Sequence, residues 1–112
     1  MPPVDSTLLD IARAARLAVE FAHGMSKEAF LTDLKTQSAV LHQLVILGEA
    51  VKRLPTEFRA QHRGVTWSLI AGMRDHLIHG YDEVDLDEVW KTVSSDVPAL
   101  LERIQSLLPA KS

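Results

Sequence analysis

The octapeptide Arg74-Asp75-His76-Leu77-Ile78-His79-Gly80-Tyr81 gathers an arginine, an aspartate, two histidines and a tyrosine into about two helical turns. Arginine and histidine together are what a metal-free phosphodiesterase needs. A guanidinium stabilises the charge of a phosphorane, and an imidazole moves protons near neutral pH. On a helix, Asp75 and His79 are four apart and share a face, so Asp75 can accept a hydrogen bond from His79 and fix its tautomer. Arg74 and His79 are then about 140° apart around the axis, and the length of arginine lets both reach one groove edge. His79 falls in the last turn, where free carbonyls favour its protonated form. Gly80 then lets the chain swing Tyr81 back towards the same place. The competing reading is a charged helix end with His79 as a terminal cation.

Other constellations are weaker. His76 and His79 are three apart, but two ligands are too few for a metal and Arg74 beside them repels a cation. Glu20 and His23 form a single Glu-x-x-His, whereas di-iron bundles need two such motifs and two further glutamates. No Gly-rich phosphate loop follows a strand, and no serine or histidine sits in a nucleophile elbow. The expectation is therefore no metal and no cofactor. Gly48-Glu49-Ala50 suits close helix approach, with Glu49 paired to Lys52 or Arg53, and His42 and His62 read as surface or partly buried polar residues.

These residues need elements to hold them. The chain has 112 residues, enough for one domain over 1–112 with a single core. Alanine and leucine dominate and aromatic residues are few, which favours helices. Apolar residues recur at helical spacing after Asp5 or Ser6 as cap (Leu8, Leu9, Ile11, Ala12, Ala15, Val19, Ala22), and Gly24 stops the helix. Ser26 caps a short helix with Glu28 in its first turn. A long helix is predicted from about Asp33 to Leu54, with Val40, Leu41, Leu44, Val45, Leu47 and Gly48 inward and Pro55 ending it. Residues 56–64 read as a short helical turn and a loop. Thr66 caps a helix running from Trp67 to about His79, residues 82–85 form a loop, and Asp85 with Glu88 resembles a capping box for the last helix. That helix runs to about Leu108, and Pro98 should kink or split it. No strand is expected. The fold class is all-α, an up-and-down bundle of four main helices with short additional turns.

Charge and targeting narrow the functions. A net charge of −3 argues against a general nucleic-acid binder. The charge is uneven, though. Lys52, Arg53, Arg59 and Arg63 face only Glu57 within 52–63, while Asp82, Glu83, Asp85, Asp87 and Glu88 have no basic residue among them. This leaves open a local grip on a polyanion or two solvated patches. With no cysteine there is no disulfide framework or thiolate metal site. The start Met-Pro-Pro-Val-Asp-Ser-Thr lacks the pattern of a signal peptide, and no apolar run reaches the roughly 18–20 residues that span a bilayer. A soluble cytoplasmic protein is expected.

Several ordered segments resemble the HepT-like proteins of the HEPN superfamily. They are Ser26-x-Glu28-x-Phe30, Gly48-Glu49-Ala50, Trp67 leading into Gly72-Met73-Arg74-Asp75, the Arg74…His79-x-Tyr81 motif with its four-residue gap, and Val84-Asp85 followed by Trp90. The resemblance covers nearly the whole chain. Many superfamily members have asparagine where this chain has Asp75. The resemblance implies a homodimeric helical bundle and a metal-independent endoribonuclease toxin, with Arg74 and His79 catalytic. It also implies an MntA-type nucleotidyltransferase antitoxin as partner, which neutralises the toxin by adding AMP to Tyr81. A twofold dimer that brings two motifs together would offer two His79, one as base and one as acid, with Arg74 holding the phosphorane. The acidic run after Tyr81 would help present it to the partner. The alternative within the superfamily is a non-catalytic module that binds nucleotide or a nucleotidyltransferase.

Overall fold

Two 19-residue helices, α1 (Val4–Ala22) and α3 (Leu34–Lys52), form the principal packing pair of the computed structural model, which describes residues 4–79 and 83–109, without the side chain of His79. On α1 the inward stripe is Leu8, Ile11, Ala12 and Ala15, as the spacing predicts, joined by Ala18, whereas Leu9 is half exposed and Val19 and Ala22 are partly buried. Alanines at the contact let the axes come close, since interaxial distance follows the side chains between them. On α3 the stripe is Val40, Leu44, Leu47, Gly48, Ala50 and Val51, with Leu41 and Val45 at its edges. Each fully buried leucine here is worth about 1.5–3 kcal/mol relative to exposure.

Caps and breaks follow the sequence closely at this end. Asp5 lies within the first turn of α1 rather than capping it. Gly24 adopts φ +79°, a left-handed conformation that suits glycine, and turns the chain after α1. Ser26 caps α2 (Lys27–Leu31) by accepting from the Ala29 amide at 3.1 Å, and Asp33 caps α3 by accepting from Thr36 at the same distance. The Thr36 amide holds the Asp33 carboxyl below its ordinary pKa, because the hydrogen bond favours the ionised form. Gln37 donates to the Phe30 carbonyl at 2.9 Å and ties α2 to α3.

After Pro55 come α4 (Thr56–Gln61), α5 (Trp67–Ala71) and α6 (Met73–Leu77). Thr66 is the N-cap of α5 by position, but its side chain makes no cap hydrogen bond. The turn between α4 and α5 is held by the Trp67 indole, which donates to the His62 carbonyl at 2.9 Å, and by Phe58, whose ring lies 4.4 Å from His62 and 6.3 Å from Trp67.

The helix expected to run from Trp67 to His79 is interrupted at Gly72 and ends at Leu77. Ile78 and His79 are extended as β1 and pair antiparallel with β2 (Glu83–Val84), Ile78 opposite Val84 and His79 opposite Glu83. The Asp85 amide donates to the Leu77 carbonyl at 2.8 Å and continues the pairing. The expected absence of strands is thus corrected by one short ribbon, and residues 83–84 are strand rather than loop.

The last helix is α7 (Leu86–Lys91), a π-helical turn (Thr92–Asp96) and α8 (Val97–Gln105). Asp85 caps α7 by accepting from the Glu88 amide at 3.1 Å. The π turn ends two residues before Pro98, and the Val97 amide reaches back five residues to the Thr92 carbonyl. Proline cannot donate and its ring crowds the carbonyl four residues back, so the helix widens there instead of breaking. The Ser94 hydroxyl donates to the Trp90 carbonyl at 2.6 Å in the same turn. α8 packs on α1 through Val97, Leu100 and Ile104, and Phe30 of α2 meets Trp90 of α7 with ring centroids 5.3 Å apart. The all-α bundle of long helices with short extra turns is therefore present. Among the described residues no helix is long and apolar enough to cross a membrane.

Candidate active site

The motif occupies a junction where helix gives way to strand. Arg74 and Asp75 are on α6, His79 is on β1, and Gly80, Tyr81 and Asp82 lie outside the described residues. Because α6 ends at Leu77, the helical spacing invoked for Asp75 and His79 does not exist. The same holds for the 140° relation of Arg74 to His79 and for His79 as a last-turn cation. Ile78, at φ −116° and ψ 117°, is where the chain leaves the helix. β-branched Ile78 and Val84 facing each other across the ribbon favour this outcome.

The Arg74 guanidinium is exposed, with its Nη1 3.6 Å from the Asp75 carboxylate, which is itself largely exposed. An exposed pair at that distance contributes at most about 1 kcal/mol, so Arg74 is held loosely and can turn to another anion. His76 sits two positions on, about 200° around the axis, and lines a groove of about 380 Å³ between α5–α6 and α7–α8. The groove has an apolar floor (Ile70, Met73, Leu77, Leu100) and a charged rim that includes Lys91 and Arg103. Arg103 and Lys91 lie far from the motif in sequence, and no spacing signal points to them. Gly64 admits Arg103, since a Cβ at that position would lie 2.8 Å from its Nη1. Among the described residues no group of three or more histidines and carboxylates is arranged to hold a metal ion.

The remaining residues singled out in the sequence have structural roles. Glu49 pairs with Lys52 at 3.6 Å, and Arg53 pairs instead with Asp10 at 3.2 Å. Gly48 lies under α5, where a Cβ would be 3.2 Å from the Ile70 carbonyl oxygen. The glycine is thus a close-packing position that seats α5–α6 on α3. In the acidic run, Asp85 caps α7 and Asp87 pairs with Lys27 at 3.0 Å. His42 is exposed and His62 is partly buried.

The family model "Ribonuclease HepT-like" matches residues 11–107. The chain belongs to the HepT-like ribonuclease family. As a member of that family it is an endoribonuclease. It is 45% identical over 100 residues to "Probable ribonuclease HepT" of Thermococcus cleftensis, covering 89% of this chain and 91% of that one. It is 40% identical over 98 residues to "Putative RNase TTE0752" of Caldanaerobacter subterraneus, covering 88% of each. It is 36% identical over 110 residues to "Putative RNase MJ0127" of Methanocaldococcus jannaschii, covering 96% of this chain and 91% of that one. No solved structure gives a significant match. Most segments that carry the HepT-like resemblance build the frame of the site. Ser26 caps α2, Phe30 and Trp90 join α2 to α7, Gly48 seats α5, and Val84-Asp85 closes the ribbon and starts α7.

Proposed function

We propose that this HepT-like ribonuclease cleaves RNA without a metal, by attack of a ribose 2′-hydroxyl on the neighbouring phosphorus. The O2′–P bond forms as the P–O5′ bond breaks, leaving a cyclic phosphate and a 5′-hydroxyl. One His79 takes the 2′-hydroxyl proton and a second His79, from the other copy in a twofold dimer, protonates the leaving oxygen. Arg74 neutralises the equatorial oxygens of the phosphorane. Asp75 acts as the orienting carboxylate through its contact with Arg74. The observation that carries this reading is the exposed, loosely paired Arg74 guanidinium near the start of α6, five residues before the ribbon residue His79.

The protein is further proposed to be the toxin of a cytoplasmic toxin–antitoxin pair. Its partner, an MntA-type nucleotidyltransferase, transfers AMP from ATP to the Tyr81 phenol. The Tyr–O–P bond forms, pyrophosphate leaves and the phenolic proton passes to solvent. The attached phosphate brings negative charge and bulk to the motif and blocks RNA entry. The test is to induce the wild type and His79→Ala in cells and follow growth and total RNA. Arrest with RNA cleavage that disappears in the variant supports the nuclease. Equal harmlessness of both proteins, with no partner present, favours the non-catalytic binding module. Cleavage by purified protein in EDTA checks metal independence.

A further inference from the structure

A second basic feature lies outside the motif. α4 and the start of α5 border a shallow cleft lined by Arg59, Arg63, Thr56, Thr66 and Ser68, with the buried Trp67 ring beside them. Among the described residues no carboxylate lines this cleft, and neither arginine forms an ion pair. The groove beside His76 differs, because Glu88 and Asp96 offset its cations. The Arg59 Nε is buried and has no hydrogen-bond acceptor. Buried donors in native proteins nearly always have partners, so Arg59 keeps hydrogen-bonding capacity that the chain itself leaves unused. Two guanidinium charges flanked by three hydroxyls suit a phosphodiester, since arginine presents planar donors matched to phosphate oxygens. The cleft adjoins the catalytic segment. It shares Val65, Thr66 and Leu69 with the groove that His76 lines, and Ser68 on α5 precedes Arg74 on α6 by six residues.

We infer that Arg59 and Arg63 form a phosphate subsite that anchors the RNA backbone beside the Arg74 end of α6. The inference rests on the ribonuclease reading for its ligand but not on the roles of Arg74 and His79. A net-acidic protein can thereby hold a polyanion, by confining its grip to one carboxylate-free cleft.

The test measures binding of a fluorescent single-stranded RNA oligonucleotide across a salt series. It compares wild type, Arg59→Gln/Arg63→Gln and a charge-matched control, Arg13→Gln/Arg16→Gln on α1. Each phosphate contact contributes about 0.7 to the slope of log affinity against log salt for single strands, so losing two should flatten it by about 1.4. Affinity near 0.1 M salt should fall roughly ten- to thirtyfold, with the control close to wild type. In cleavage assays KM should rise while kcat holds. An unchanged slope in the cleft variant, or an equal loss in the control, overturns the subsite. If the double variant melts abnormally, Arg63→Ala decides alone, since that side chain is exposed. Its slope should flatten by about 0.7, and no change overturns the subsite. RNA that is bound but never cleaved by wild type would sink the catalytic proposal while the slope still judged the subsite.

Discussion

The α1–α3 pair and the segment from Trp67 to Val84 are built on opposite principles. The first consists of two uninterrupted 19-residue helices with continuous apolar stripes. The second consists of two five-residue helices broken at Gly72 and a two-residue ribbon, and it exposes Arg74, Asp75 and His76. Helices that short are not stable alone. They persist because Trp67, Met73 and Leu77 are buried and because Gly48 of α3 lets α5 lie close. The long pair supplies stability, and the broken segment spends it to hold polar groups at a surface. Substitutions in the two regions should therefore separate stability from activity.

The largest effect is expected at the frame. Phe30→Ala removes a fully buried ring packed on Trp90 and should cost about 3–5 kcal/mol of unfolding free energy. Denaturant titration measures this, and activity per folded molecule should persist below the transition. Arg74→Ala should do the reverse. RNA cleavage should fall by about 10²–10³, as when one charge-stabilising donor is lost, with stability within about 0.5 kcal/mol of wild type. Equal losses of activity and stability in either variant would break the division.

Gly48→Ala probes the seam between the regions. Its Cβ presses on the Ile70 carbonyl, and overpacking of this kind costs about 1–3 kcal/mol. Displacement of α5–α6 should lower cleavage as well, so this variant should move both readouts together. The smallest effect is expected at the α3 cap. The Asp33 carboxyl titrates below its ordinary value of 3.8 in the folded chain because of the Thr36 amide. Its stabilisation is therefore present above the unfolded pKa and lost as pH falls through the lower folded value. Asp33→Ala should reduce Tm slightly at pH 7, and thermal melts should show the difference closing towards pH 2.

Much of the frame was legible because local chemistry determines it. Ser26, Asp33 and Asp85 are caps whose side chains serve amides three residues on, and the stripes of α1, α3 and the last helix follow helical spacing. Pro98 was legible as a disturbance, although its form, a π turn rather than a kink, depends on packing on both sides. The segment around His79 misled for a definite reason. Trp67, Ile70, Leu77 and Ile78 fit helical periodicity, and nothing local marks Leu77 as the end. The helix stops because residues 83–84 pair with Ile78 and His79, a contact that periodicity cannot register.

The residue types themselves determined the chemistry on offer: an arginine, histidines and a tyrosine within one octapeptide, no thiol, and helical spacing through most of the chain. Only the tertiary structure decided how those groups are presented. It placed Arg74 on a helix and His79 on a strand, sent His76 into a separate groove with Lys91 and Arg103, and brought Arg59 and Arg63 into a cleft free of carboxylates. Spacing along a chain predicts proximity only while one element continues, and here the element changes between the two motif residues.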